Sequence, residues 1–96
     1  MKKIKLAIIG CGGICRYAHT PALQQLSEYF DVVATCDIVK ERAEEFAEVF
    51  GAKAYTDYEE LLEKENLDAV DIATPNYLHS IISVKALNKG LFFSFF

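Results

Sequence analysis

One stretch of sequence decides the fold of this chain: Lys5-Leu6-Ala7-Ile8-Ile9-Gly10-Cys11-Gly12-Gly13-Ile14-Cys15. An apolar run too short for a helix ends in glycines, and helix-forming sequence follows. This order predicts a strand, a tight turn and a helix. Gly10 allows the chain to leave the strand in a turn that a Cβ atom would obstruct. The third glycine of the pattern is expected at position 15, where this chain has the small residue Cys15.

The glycines also predict a place for the pyrophosphate of a dinucleotide. Gly12 leaves room for a phosphate group against the main chain. The N–H groups of Gly12, Gly13 and Ile14 would then point at the anion from the positive end of the new helix. Such a contact contributes about 0.3–1 kcal/mol when exposed and up to ~2 kcal/mol when partly buried. Gly10, Gly12, Gly13 and Ile14 are therefore the candidate cofactor-binding residues of this turn.

A second predicted strand, residues 31–37, ends in an acid. Asp37 follows Cys15 by 22 residues, close to the ~20 expected for the carboxylate that accepts hydrogen bonds from the adenosine ribose of NAD. The 2′-phosphate of NADP would face a like charge there, a repulsion of roughly 4 kcal/mol at an effective dielectric near 20. The sequence therefore predicts NAD rather than NADP. The alternative is an ordinary turn aspartate that closes the strand.

The composition is that of one small globular domain. The 96 residues are 52% hydrophobic and carry a net charge of −4, which allows a modest core and disfavours a nucleic-acid surface. No apolar run approaches the ~20 residues of a membrane span, and no signal peptide is indicated. Three cysteines without a C-x-x-C pair fit a reducing cytoplasm. Cys15 and His19 could meet on one helical face, but a metal would need further ligands, so we predict no metal site.

Strand and helix patterns alternate along the chain. This alternation predicts an α/β fold, a doubly wound parallel sheet of the Rossmann type. Pro21 interrupts the first helix, so we expect a piece over 13–18 and a second one, capped by Thr20, through Leu26. His19 lies at the joint, where it caps the break or faces the cofactor cleft. The next predicted elements are a helix over 40–50 that stops at Gly51, a strand over 52–55, and a helix that runs from the capping pair Thr56 and Glu59 to Lys64. A strand over 68–73, interrupted by Asp71, follows. The last predicted helix ends at Lys89, and its buried face consists of Leu78, Ile81, Ile82 and Ala86.

Four segments resemble the Gfo/Idh/MocA oxidoreductases, the relatives of glucose–fructose oxidoreductase and inositol dehydrogenase. They are the glycine turn at 10–14, His19-x-Pro21-Ala22-Leu23, Cys36-Asp37 and the selective turn Ala73-Thr74-Pro75-Asn76-x-x-His79. The resemblance runs from about Lys3 to Gly90. It implies a domain that binds NAD or NADP, and hydride transfer between the nicotinamide and a sugar, cyclitol or related polyol.

The resemblance also implies roles for the last of these segments. Thr74, Pro75 and Asn76 would lie along the nicotinamide ribose, with His79 nearby on the following helix. The turn leaves the carboxyl end of the fourth strand next to the first strand, where the strand order reverses and ligands bind. Taken alone, His79 would also suit a solvent-facing helix position.

The sequence departs from the family after Gly90. The family continues into Glu-Lys-Pro, whose lysine is catalytic, whereas this chain reads Leu91-Phe92-Phe93-Ser94-Phe95-Phe96. We therefore expect an incomplete dinucleotide-binding domain over 1–96, truncated after the fourth or fifth strand, with no catalytic residue and no substrate domain. A polyol substrate belongs only to a full-length protein. The uncharged tail predicts a makeshift fifth strand and self-association.

Two functions remain open from the sequence. The chain is the cofactor half of a cytoplasmic NAD-dependent sugar or cyclitol dehydrogenase and is inactive by itself. Alternatively, it is a non-enzymatic module that binds dinucleotide, senses NAD or docks onto a partner.

Overall fold

The structure, a computed structural model, describes residues 3–10, 20–74 and 76–95. All its strand pairs are parallel and form one sheet in the order β3-β2-β1-β4-β5. The doubly wound α/β fold is therefore confirmed. In chain order the elements are β1 (Ile4–Ile9), α1 (Thr20–Gln25), β2 (Phe30–Cys36), α2 (Lys40–Phe50), β3 (Lys53–Tyr55), α3 (Tyr58–Lys64), β4 (Ala69–Ile72), α4 (Asn76–Asn88) and β5 (Phe92–Phe95).

The central strand β1 is buried on both faces, as its unbroken apolar sequence predicts. On one face Ile9 packs in a core with Leu61 of α3 and Ile82 of α4. On the other face Ile8 packs in a second core with Phe46 of α2. Successive side chains of a strand point to opposite faces, so a single run of apolar residues supplies both layers.

The ends of two helices show which capping predictions hold. Gly51 ends α2 with a φ of 66°, so the predicted stop there is confirmed. The predicted cap of α3 at Thr56 is wrong. Asp57 is the N-cap, and its side chain accepts a hydrogen bond from the N–H of Glu59 at 2.9 Å. The carboxylate is one residue closer to the helix than the threonine and reaches the first unpaired N–H groups.

The inner face of α4 differs from its prediction by one residue. Ile82 and Ala86 are buried and Leu78 is half-buried, as predicted, but Ile81 is 47% exposed. Ser83 is buried in its place, and its hydroxyl donates to the carbonyl of Ser80 at 3.2 Å. Because α4 has apolar residues on all sides, the sequence alone does not define which of them face the sheet.

The predicted fifth strand is confirmed. β5 pairs with β4 in parallel register from Ala69–Phe92 to Ile72–Phe95. The predicted helix piece over 13–18 and His19 lie outside the described residues. Among the helices of the described residues, none is both long and apolar enough to cross a bilayer.

Candidate functional site

The carboxyl ends of three strands lie side by side at one edge of the sheet. The N–H of Gly10, after β1, donates to the carbonyl of Cys36 in β2 at 2.7 Å. The N–H of Ala73, after β4, donates to the carbonyl of Ile9 at 2.8 Å. The chain leaves β1 toward β2 and later returns to β4 on the other side, so the strand order reverses here. Open parallel sheets bind ligands at this point.

Gly10 allows the closest approach in this crevice. Its φ is 96°, and a Cβ atom on it would lie 2.8 Å from the carbonyl carbon and oxygen of Ala73 and 2.9 Å from the nitrogen of Thr74. Only glycine fits this position without a shift of the backbone. The structure thus brings two predicted site residues, Gly10 and Thr74, into direct contact.

Asp37 follows β2 beside the same crevice and is held in place by two backbone contacts. Its N–H donates to the carbonyl of Tyr55 at 3.1 Å, and its Oδ1 accepts a hydrogen bond from the N–H of Val39 at 2.8 Å. The second contact is an Asx turn, in which the carboxylate is oriented by the backbone two residues later. Asp37 is 8% exposed. The predicted acid therefore has a defined orientation at the end of β2.

The sequence prediction missed the residue that follows Asp37. Ile38 is 90% exposed, and Val39 next to it is 37% exposed. Both are apolar residues in a loop between Asp37 and the start of α2. Two apolar residues at such a loop position are the sequence feature from which an exposed apolar surface could have been predicted. They form an apolar surface directly beside the Asp37 carboxylate.

Cys36 is unsuited to nucleophilic or metal chemistry. Burial, followed by the negative charges of Asp37 and Asp57, raises the pKa of its thiol from 9.0 to about 12. The thiol stays protonated at neutral pH, whereas the thiolate is the reactive form. Within the described part of the chain, no group of three or more His, Cys, Asp or Glu residues could hold a metal ion.

The other predicted site residues are described only in part. Gly12, Gly13, Ile14 and Pro75 lie outside the described residues. The backbones of Asn76 and His79 lie in the first turn of α4, which begins just after Thr74. The structure therefore brings Gly10, Asp37 and Thr74 to one edge of the sheet and places the start of α4 there.

Comparison with known proteins matches this chain to an oxidoreductase family. Residues 4–92 match the Gfo/Idh/MocA family model, an oxidoreductase family with an NAD-binding Rossmann fold. Glucose-6-phosphate 3-dehydrogenase from Bacillus subtilis is 35% identical over 85 residues, 88% of this chain and 23% of that protein. Inositol 2-dehydrogenase from Salmonella typhimurium is 34% identical over 89 residues, 91% of this chain and 26% of that protein. The chain spans about a quarter of the length of these relatives.

Solved structures share the fold over nearly the whole chain. An oxidoreductase from Thermotoga maritima has a TM-score of 0.92 at 42% identity, covering 98% of this chain and 29% of that one. The WlbA dehydrogenase from Bordetella pertussis, solved with NADH and UDP-GlcNAcA, has a TM-score of 0.90 at 26% identity, covering 98% and 28%. A 3-ketoreductase from Actinomadura kijaniata, solved with NADP and TDP-benzene, has a TM-score of 0.88 at 31% identity, covering 98% and 29%.

Proposed function

The chain belongs to the Gfo/Idh/MocA oxidoreductase family, and from that premise we propose that it binds NAD at the crevice between Gly10, Asp37 and Thr74. Members of this family are NAD(P)-dependent dehydrogenases, and the chain has their dinucleotide-binding domain. The dinucleotide would run from the glycine turn at 10–14 along the carboxyl ends of β1 and β4. The adenosine ribose would lie at Asp37, and the nicotinamide ribose at the turn 74–76 near His79.

The observation that carries this proposal is the fixed carboxylate of Asp37. A carboxylate in this place accepts hydrogen bonds from the ribose hydroxyls of NAD. Because Oδ1 is held by the N–H of Val39, the group does not have to become ordered when the ribose binds. Binding therefore loses less conformational entropy than it would with a mobile side chain.

The surroundings of Asp37 favour NAD over NADP. A 2′-phosphate would lie close to the carboxylate, and like charges at this distance repel. The exposed residues directly after Asp37, Ile38 and Val39, carry no positive charge, and the first basic side chain that follows is Lys40 at the start of α2. Their apolar surface is instead suited to the flat face of an adenine ring.

The test is the substitution Asp37→Asn, with NADH and NADPH binding measured by calorimetry. Asparagine keeps an oxygen that accepts from the N–H of Val39 but removes the charge. We expect NADH affinity to fall by roughly ten- to a hundred-fold, equivalent to the ~1.5–3 kcal/mol of hydrogen bonds to a charged group. NADPH affinity should fall less or rise, because the repulsion is gone.

Asp57→Asn is the matched control. Asp57 also accepts a hydrogen bond from the N–H two residues later, but at the N-terminus of α3. This variant should leave both affinities unchanged. Equal loss in the two variants, or no loss in Asp37→Asn, would contradict the assignment of Asp37.

We further propose that the oxidoreductase to which this domain belongs acts on a sugar, cyclitol or related polyol in the cytoplasm. The support for the substrate class is the names of the relatives, which include a glucose-6-phosphate 3-dehydrogenase and an inositol 2-dehydrogenase. The competing proposal is a module that binds NAD without chemistry. Reduction of NAD⁺ with sugar and inositol substrates, assayed on a longer protein that contains this domain, distinguishes the two, since both require NAD binding and only the first requires turnover.

A further inference from the structure

We propose that Tyr55 is a positioning residue for the cofactor, which holds the backbone at Asp37 with its carbonyl while Glu65 holds its hydroxyl. The Tyr55 carbonyl accepts a hydrogen bond from the N–H of Asp37 at 3.1 Å, and the hydroxyl donates to the carboxylate of Glu65, the C-cap of α3. One residue thus connects the acid at the end of β2 to the end of α3. The inference rests on the proposed function, because Tyr55 has this role only if Asp37 binds the adenosine ribose.

The shortness of β3 makes the position of Tyr55 depend on its side chain. β3 has three residues, and Tyr55 is the last of them, paired with Cys36 of β2. The chain then leaves the sheet, and the N-cap of α3 follows at Asp57. A strand this short makes few main-chain hydrogen bonds, and the ends of such elements open readily. Contacts of the Tyr55 side chain are therefore needed to keep its carbonyl in place.

Three kinds of contact hold the side chain of Tyr55. The residue is only 6% exposed and packs in a core with Leu61 and Leu62 of α3. The ammonium group of Lys53 lies 5.3 Å from the centroid of the ring, within the range of a cation–π contact. The hydroxyl donates to Glu65, whose own N–H donates to the carbonyl of Leu61 at 3.0 Å. Of the three, the hydroxyl contact fixes the direction in which the ring points.

The position of Tyr55 matters at Asp37 because two different bonds fix that acid. The bond from the N–H of Val39 to Oδ1, 2.8 Å long, orients the carboxylate relative to the residues that follow it. The bond from the N–H of Asp37 to the Tyr55 carbonyl fixes the same residues relative to the sheet. Loosening the second bond would let the whole Asx turn move away from the crevice. Ribose binding would then have to order the turn, which lowers affinity.

The experiment is the substitution Tyr55→Phe, which removes one oxygen atom and keeps the ring. We expect the dissociation constant for NADH to rise about three- to ten-fold, a typical size for residues that modulate binding without touching the ligand. The constant for NADPH should rise less, because the fixed carboxylate attracts the ribose hydroxyls but repels the 2′-phosphate. A purely structural role would weaken both cofactors equally. Equal weakening, or unchanged NADH binding, would overturn the proposal.

Substitutions of Glu65 test the other partner of the same hydrogen bond. Glu65→Gln keeps an oxygen that accepts from the Tyr55 hydroxyl, whereas Glu65→Ala does not. We expect Glu65→Ala to weaken NADH binding as Tyr55→Phe does, and Glu65→Gln to restore most of the affinity. Equal weakening in the two variants would overturn the proposal. This pair also decides the question if Tyr55→Phe does not fold.

Amide hydrogen exchange tests the positioning without any cofactor. The readout is the exchange rate of the Asp37 amide divided by that of the Ala73 amide, which donates to the Ile9 carbonyl at the same edge of the sheet. This ratio should rise about three-fold or more in Tyr55→Phe, because local opening at β3 frees only the first amide. Gly51→Ala is the control for lost stability, since its Cβ would meet nothing within 4 Å, and it should leave the ratio unchanged. An unchanged ratio in Tyr55→Phe would overturn the proposal.

Asp37→Ala separates a failure of this inference from a failure of the proposed function. Unchanged NADH affinity in Asp37→Ala would show that the acid does not bind the ribose, and both would fall. Weaker binding in Asp37→Ala without any effect of Tyr55→Phe would overturn only the role of Tyr55. We expect both single variants to bind NADH more weakly. Tyr55→Phe should then add nothing in the Asp37→Ala background, because no carboxylate is left to position, and additive losses would overturn the proposal.

Discussion

Gly10 and Gly51 both have positive φ angles, 96° and 66°, but their surroundings differ. A Cβ atom on Gly10 would lie within 3 Å of the backbone at Ala73 and Thr74, whereas a Cβ on Gly51 would meet nothing within 4 Å. The two positions therefore separate the cost of a left-handed backbone from the cost of a steric clash.

We expect Gly51→Ala to lower the free energy of unfolding by about 1–2 kcal/mol, the cost of a left-handed conformation. Gly10→Ala adds a clash with the backbone and should cost about 2–5 kcal/mol in total. Urea unfolding measures both. Gly10→Ala should also weaken NADH binding, because the shift needed to relieve the clash moves the turn at Thr74. Equal destabilisation by the two substitutions would contradict the close approach.

Single residues were predictable where their role is local. Of the residues predicted from the glycine pattern and the strand-ending acid, Gly10 and Asp37 are described, and both lie at one edge of the sheet. The sequence did not show that Gly10 touches Ala73, because that contact joins strands far apart in the chain. It also did not show that Asp37 is oriented by Val39, since an aspartate at a strand end has several backbone donors within reach.

At the scale of elements, β3 and α3 are joined by a hydrogen bond that no sequence pattern indicated. The hydroxyl of Tyr55 donates to the carboxylate of Glu65, the residue that caps the end of α3. Burial, followed by this hydrogen bond and the charges of Glu65 and Glu60, raises the pKa of Tyr55 from 10.0 to about 12. The phenol therefore keeps its proton in the folded chain at pH values where the unfolded chain loses it.

This pKa shift sets a pH window for stability. Below pH 10 the Tyr55 hydroxyl is protonated in both the folded and the unfolded chain, and its contribution to the free energy of unfolding is fully present. Above it the folded state binds more protons than the unfolded state, so stability falls as pH rises toward about 12. Tyr55→Phe should cost about 1.5 kcal/mol at pH 7, the lower end for a hydrogen bond to a charged group. The difference in the free energy of unfolding between this variant and the unaltered chain, measured by urea unfolding, should shrink between pH 10 and 12. A constant difference would contradict the linkage.

Helices were predicted best where their sequence is amphipathic and bounded. α2 has apolar residues at helical spacing and a glycine at its end, and its predicted bounds are those observed. α4 was predicted less well, because its apolar residues surround the axis and Ile81 is exposed. For α3, two neighbouring residues could serve as the cap, and only the backbone geometry distinguishes Asp57 from Thr56.

At the scale of the whole molecule, alternation of strands and helices was sufficient to predict the parallel sheet. A right-handed connection between neighbouring parallel strands leaves few topologies open, and the order 3-2-1-4-5 is among them. The pairing of β5 with β4 followed from the β-propensity of the tail.

The chain spans only 23–29% of the length of the relatives with which it aligns. Hydride transfer requires the nicotinamide and the substrate carbon to be held together, and such positioning can account for ~7–11 kcal/mol of a reaction barrier. We therefore expect the 96-residue polypeptide, prepared by itself, to bind NADH but, when supplied with NAD⁺, to show no measurable oxidation of glucose 6-phosphate or inositol. Absorbance at the NADH band, followed with each substrate, is the measurement, and a full-length inositol dehydrogenase is the positive control. Turnover that is lost in Asp37→Asn would show that these residues suffice for catalysis and would contradict the prediction.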